Sequence, residues 1–383
     1  VLAHVEKRGK NSYRIIISLG KDPVTGKYRY YRETIKAKNK REAEKKAIEI
    51  EARILKGDYI KPDNITVEEY LNQWLENSSF NLKETTLNNY KIIINAHIIP
   101  ELGKISLQKL QPIHIQNYIL KKLKSGRRDG KGGLSNRSVR YHYTILREAL
   151  DAAVKLQLID KNPAVAIEPP KVEKKEMKAL NQKEIDKLLE TALEMYDYTT
   201  YAIIFIAIYT GMRRGEILGL SWDHVDLDDA SLRVEQTLLK GPEGSKLYTP
   251  KTEQSRRTIF LTKTTVEVLE KLKKEQAINK LKLGPAYNNE YNLVFVNADG
   301  SIITPDAFKN RFTRIRKKAG LNNIRFHDLR HTHATMMLQA GISHKEAAER
   351  LGHSTITTTV DLYTHVTEPL KRRVVDKLER MTR

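Results

Sequence analysis

Residues 324–335 read IRFHDLRHTHAT and bring His327, His331 and His333 together with Arg325 and Arg330. Such a cluster suits three chemistries: holding a metal, gripping a phosphate, or forming the polar face of a helix. The HDLRH core has the spacing of a zinc-protease helix, with Asp328 where the basic Glu would stand. A fixed guanidinium beside a divalent ion is electrostatically costly, and Asp reaches less far than Glu, so the metal reading is set aside. Taken alone, the segment reads as a polar helix start with satisfied histidines.

Three other segments change that reading. TGMRRGEILGL (210–220) places Arg213 and Arg214 directly after the apolar run YAIIFIAIY (201–209). TPKTEQSRRTIFL (249–261) adds Lys251 near a turn between strand-like runs. LGHSTITTTVDLYTH (351–365) adds His353 and Tyr363. In chain order, Arg213, Lys251, His327, Arg330, His353 and Tyr363 share one chemical sense. Two arginines offer planar forks to the non-bridging oxygens of a phosphodiester. Histidines donate or move protons near neutral pH. A lysine can protonate a leaving alkoxide, and a tyrosine can attack phosphorus to form a covalent phosphotyrosine. Guanidinium groups can neutralise the phosphate for an anionic nucleophile without a metal.

These boxes resemble the signature of the tyrosine recombinases, the phage-integrase family. The resemblance covers most of the chain and is strongest from about 175 to 383. Three boxes in order, with a lysine hairpin between the first two, are far more specific than any one alone. Carried over residue by residue, the resemblance makes Arg213 and Arg330 the catalytic arginines and Lys251 the general acid toward the 5′ oxygen. His327 becomes the histidine of the HxxR box, His353 occupies the His-or-Trp position, and Tyr363 is the nucleophile. Glu216 matches an acidic position that braces the first arginine. None of the six catalytic positions departs from the family pattern. Arg214, His331, His333 and His365 read as helix surface or as support behind the site.

The resemblance implies a site-specific DNA recombinase acting through a 3′-phosphotyrosine and a Holliday junction, without cofactor or metal. It implies double-stranded DNA as partner, at core and arm attachment sites. A homotetramer on synapsed DNA, with an excisionase or a DNA-bending host factor, completes the expected assembly. Two rivals are a type IB topoisomerase-like strand transferase and a non-catalytic DNA-binding regulator. The complete residue set argues against the regulator.

The bulk composition agrees with a nucleic-acid partner. The 383 residues carry 68 Lys+Arg against 47 Asp+Glu, a formal charge of +21, which favours a polyanion. There are no cysteines, which excludes disulfides, thiolate catalysis and Cys-based zinc sites. No run approaches the roughly 20 apolar residues a membrane span needs, and no secretory signal precedes HVEKRGKNSY. A cytoplasmic protein without membrane contact is expected.

The elements that must position these residues fall into three expected domains, 1–60, 65–165 and 175–383. The fold class is multidomain and mainly α with small β-sheets (α+β). The first domain shows strand-like runs at 12–19 and 27–35 and a helix at 39–55 capped by Asn39; the resemblance implies an arm-type DNA-binding domain with a three-stranded sheet. Residues 1–60 hold 16 Lys+Arg against 8 Asp+Glu, and Tyr28, Arg29, Tyr30 and Arg32 interleave aromatics with cations. The second domain is all-helical and resembles the family's SAM-like core-binding domain. Thr66 and Thr85 or Thr86 are its expected caps, and SGRRDGKGG (125–133) its mobile basic loop. NPAVAIEPPKVEKKEMKAL (162–180) ends it. The third domain is the mixed α/β catalytic domain, with strands expected at 231–239, 246–252, RRTIFLT and 292–296. TEPLKRRVVDKLERMTR (367–383) reads as an amphipathic helix that packs either on its own domain or, as the resemblance implies, on a neighbouring protomer.

Overall fold

The computed structural model describes residues 3–21, 26–55, 65–80, 82–173, 179–241, 244–249 and 256–352. Lys251, His353, Tyr363, His365 and the helix expected at 367–383 lie outside the described residues. The chain divides into two compact units, 1–174 and 175–383.

The first unit contains two separate apolar cores. Strands β1 (His4–Gly9), β2 (Ser12–Lys21) and β3 (Tyr28–Lys36) form an antiparallel sheet in that order. Strand β1 escapes a pattern reading because HVEKRG has no apolar alternation; it joins the sheet through its register with β2. Tyr13, Ile15 and Ile17 alternate inward along β2 and pack with Ala43 and Ala47 of α1 (Lys40–Leu55). Asn39 caps α1, its Oδ1 accepting from the Glu42 amide at 2.9 Å. On the opposite face, Tyr28 and Tyr30 are exposed, and the cations of Lys21 and Arg32 lie 5.5 and 5.4 Å from their ring centroids. The side chain of Arg29 lies outside the described residues.

The second core belongs to helices α2 (Val67–Ser78), α3 (Glu84–Ile93), α4 (Ile99–Leu102), α5 (Pro112–Ser125) and α6 (Asn136–Lys155), with a π turn at Ile94–Ile98 between α3 and α4. Thr66 caps α2 through a reciprocal box with Glu69. Neither Thr85 nor Thr86 caps α3. The helix begins at Glu84, after an extended Lys83 that makes no side-chain cap bond, and both threonines sit in its first turn. The glycine-rich loop folds back on itself. Arg127 pairs with Asp129 at 2.6 Å, the Arg127 amide donates to Gly132, and the Leu134 amide closes onto Lys122 at 2.8 Å.

In the second unit, α7 (Gln182–Met195), α8 (Tyr198–Thr210), α9 (Arg214–Leu218), α10 (Lys263–Leu283), α11 (Pro305–Lys318), α12 (Asp328–Gln339) and α13 (His344–Leu351) surround short strands. Strands β4 (Val225–Asp226), β5 (Ser231–Val234) and β8 (Arg257–Phe260) form one antiparallel sheet, and β6 (Thr237–Gly241) pairs with β7 (Gly244–Tyr248). The run 231–239 is therefore two strands in two sheets. The break falls at Glu235–Gln236, where the Gln236 side-chain amide donates to the Gly219 carbonyl at 2.8 Å. The run 292–296 is buried from Leu293 to Val296 but forms no strand. It meets its neighbours through isolated bridges, Ser221–Leu293 and Val296–Ile302, so burial alone accounts for its apolar composition. Helix α8 is the centre of this core, with Ala202 to Ile208 all buried. It is apolar all round because other elements cover every side. Among the described residues, no helix is long and apolar enough to cross a membrane.

Candidate active site

Helix α8 ends at Gly211, which has a left-handed φ of +68°. A Cβ there would stand 2.6 Å from Leu351 Cδ2 and 2.7 Å from His333 Cδ2, so the turn that delivers the first arginine needs glycine on both conformational and steric grounds. Arg213 follows as the residue before α9. Its amide donates to Glu216 Oε2 at 2.9 Å and its Nη1 to Oε1 at 2.7 Å. Helix α9 lies tight on β6: a Cβ on Gly215 would meet Thr237 Oγ1 at 2.4 Å.

Glu216 is buried and also receives Arg257 Nη2 at 3.0 Å. Burial raises the pKa of its carboxyl, but the charge and hydrogen bond of Arg257, with Arg213 behind them, outweigh that effect and hold it below the usual carboxylate value. One carboxylate thus braces two arginines.

The second arginine is buried at 3% exposure, too little for an ordinary surface cation. Arg330 lies in the first turn of α12 and donates Nη1 to the Gly211 carbonyl at 2.8 Å and Nη2 to the Leu351 carbonyl at 2.5 Å. Arg213 Nη2 reaches the adjacent carbonyl, Gly352, at 3.2 Å. Arg257 Nε takes the carbonyl before both, Arg350, at 2.7 Å. Three consecutive carbonyls at the end of α13 therefore each hold a different arginine. A helix C-terminus carries partial negative charge and unsatisfied acceptors, which makes it a natural anchor for guanidinium groups.

His327 immediately precedes α12 and reaches solvent. Protein packed around its ring, then the charge of Arg330, lower its pKa and favour the neutral imidazole. His331 follows one turn later, edge-on to His327 with centroids 4.9 Å apart. It is buried, neither ring nitrogen has a hydrogen-bond partner among the described residues, and burial lowers its pKa to about 4. Asp328 is tied to Arg325 through both carboxylate oxygens, so the HDLRH segment offers no unengaged carboxylate. Arg214 turns away from the arginine cluster, donating to the Pro305 carbonyl at 3.3 Å. Beside His327, a cavity of about 460 Å³ is lined by Met212, Arg214, Phe312, Arg316, Arg325 and Phe326. Its cationic lining suits a polyanion. A larger cavity of about 740 Å³ in the first unit mixes Arg140 and Arg147 with Glu148 and Asp151 and contains none of the box residues.

Of the six expected catalytic residues, the structure brings Arg213, His327 and Arg330 to one end of α12 and α13; the other three lie outside the described residues. Arg257 was not singled out by the sequence reading. Its signal was present: it stands two residues before the buried Ile259 on β8 and so shares its inward face.

A family model described as the phage integrase family matches residues 178–369, half of the chain. The chain belongs to the phage integrase family. A second model, the phage integrase N-terminal SAM-like domain, matches residues 66–123. The chain is similar to a tyrosine recombinase XerC-like protein of Caldanaerobacter subterraneus, at 29% identity over 97% of each chain. It is similar to the ICEBs1 integrase of Bacillus subtilis at 28% identity, over 98% of this chain and 99% of that one. Its fold resembles the Tn1549 transposon integrase in complex with a circular intermediate DNA, with a TM-score of 0.69 at 20% identity, covering 82% of this chain and 99% of that one. It also resembles the lambda integrase tetramer bound to a Holliday junction, with a TM-score of 0.58 at 20% identity and 94% of each chain. This integrase is therefore a site-specific recombinase, an enzyme that breaks and rejoins DNA.

Proposed function

We propose that this integrase recombines a mobile element's DNA through a 3′-phosphotyrosine intermediate, using Arg213, Lys251, His327, Arg330, His353 and Tyr363. The observation that carries this reading is the convergence of Arg213 and Arg330 on adjacent carbonyls of α13, at Gly352 and Leu351. Two guanidinium groups held at one helix end can bind the two non-bridging oxygens of a single phosphate. His327, close to Arg330 on the chain, adds a hydrogen-bond donor or acceptor on the same side. The chain runs from Gly352 directly into the segment that contains His353 and Tyr363.

In the forward step, the Tyr363 oxygen forms a bond to phosphorus as its proton passes to a neighbouring base. The bond from phosphorus to the 5′ oxygen breaks, and Lys251 gives that oxygen its proton. The products are a 3′-phosphotyrosine and a 5′ hydroxyl. One ester replaces another, so the energy of the broken bond is kept and no nucleotide cofactor is consumed. Attack by the 5′ hydroxyl of a partner strand reverses the step and exchanges strands.

The chain is organised in three functional domains, 1–60 for arm sites, 65–165 for core binding and 175–383 for catalysis. Support comes from the separate cores of the first unit and from the exposed Tyr28 and Tyr30 beside Lys21 and Arg32. Four protomers on two synapsed sites form the working assembly, with an excisionase or a DNA-bending protein setting direction. The polarity of the covalent link tests the chemistry. A substrate labelled at the 5′ end of the cleaved strand should become protein-linked. The downstream fragment should stay free and accept phosphate from polynucleotide kinase. Label transfer from the downstream fragment instead would refute the 3′ link.

A further inference from the structure

Gly211 and residues 350–352 are held from the inside by a contact that the catalytic set does not include. His333 lies on α12, three residues after Arg330, and is buried. Its Nδ1 lies 2.9 Å from the Ile208 carbonyl and its Nε2 lies 3.2 Å from Arg350 Nε. A carbonyl only accepts, so Nδ1 carries the proton, and Nε2 is left to accept from Arg350. The histidine thus serves as a donor to α8 and an acceptor for α13 at once, and only the neutral ring with this tautomer can do both.

We propose that His333 and Arg350 form a positioning pair that sets the last turn of α13, and through it the orientation of Arg213 and Arg330. The backbone of the same turn supplies the three arginine acceptors: Arg350 for Arg257, Leu351 for Arg330 and Gly352 for Arg213. A shift of α13 relative to α8 moves these acceptors together. The close approach of His333 and Leu351 to Gly211 leaves no slack, because Gly211 supplies the other Arg330 acceptor. Burial and the Arg350 charge push the His333 pKa down to about 3, so the pair persists through the neutral range. Neither residue touches the phosphate; both act through the arginines. The inference rests on the reading that Arg213 and Arg330 bind the scissile phosphate.

The test compares cleavage of an ordinary substrate with one carrying a methylphosphonate at the scissile position, where one negative oxygen is replaced by a methyl group. Less charge needs less from the arginines. His333→Phe and Arg350→Leu should each slow cleavage of the ordinary substrate by about tenfold to hundredfold, as mispositioning by a fraction of an ångström does, with DNA binding retained. The loss should shrink markedly on the methylphosphonate. The double variant replaces a buried polar pair by an apolar one and should recover much of the single-variant loss. If His333→Phe does not fold, Arg350→Lys, which keeps the charge but loses the Nε donor, is read in the same way. Equal losses on both substrates would overturn the pair. Arg213→Ala and Arg330→Ala serve as controls. If they too show no recovery on the methylphosphonate, the phosphate reading fails and the pair falls with it; if they recover and the His333 and Arg350 variants do not, only the pair is wrong.

Discussion

Arg213 Nη2 donates to the Gly352 carbonyl at 3.2 Å, across 139 residues of chain. This contact joins the first recombinase box to the start of the last. With Arg330 on the neighbouring carbonyl, it makes the end of α13 the place where three sequence motifs meet. The arginines are thus anchored by backbone carbonyls and, for Arg213, by Glu216.

Glu216 should be the most sensitive acidic residue of the site. Glu216→Gln keeps the shape but leaves Arg257 and Arg213 without their shared charge. Arg257 and Glu216 have side-chain exposures of only 6% and 5%, so solvent cannot replace it. Urea unfolding should show a loss of about 3 kcal/mol, the scale of a broken buried pair. Cleavage should fall more than DNA binding. A variant as stable and active as the parent would mean that the brace is dispensable.

Stability should decline on mild acidification. Burial lowers His331 and His142 to about 4 and His333 to about 3, from an ordinary value of 6.5. Between about 6.5 and 4 the unfolded chain therefore binds more protons than the folded one, and stability falls as pH falls. Each such imidazole contributes up to roughly 1.4 kcal/mol per pH unit in that window. Among the described residues His331 has no hydrogen bond to lose, so His331→Leu should flatten the slope without a comparable penalty at pH 7. Denaturant titrations at several pH values check this; an unchanged slope would contradict the buried neutral ring.

Removal of residues 1–60 should leave core-site cleavage in place and abolish binding to separate arm sites. The motive is the Tyr28–Tyr30 face with its two stacked cations. The salt slope of binding to long attachment DNA should also shrink, by about 0.9 for each phosphate that the truncated protein no longer neutralises. Unchanged affinity and slope would remove the arm-binding role.

The sequence was most legible where local chemistry fixes local geometry. Thr66 and Asn39 cap the helices their spacing indicates, and the wholly apolar run 201–209 is the buried core helix. Caps were missed where backbone conformation alone starts the helix, as at Lys83. Strand β1 has no apolar alternation to read, and its place comes from pairing with β2. At the site, residue types pointed to Arg213, His327 and Arg330, and to Glu216 as the brace of Arg213, without revealing the backbone anchor of the arginines. The acceptors are backbone carbonyls of residues 350–352, and a carbonyl leaves no signature in residue identity. Arg257 did leave a signal, its register with the buried Ile259 on β8, whereas the Ile208 carbonyl that holds His333 left none.

In the proposed mechanism, Tyr363 attacks a phosphate held by arginines without a metal. Its most direct test is a nicked duplex of the element's own attachment site, incubated with the protein in EDTA and run on a denaturing gel. The wild type should give a retarded covalent band. Tyr363→Phe should give none, while still shifting the same duplex on a native gel. A covalent band from Tyr363→Phe, or a wild-type band that appears only after a divalent ion is restored, would contradict the account.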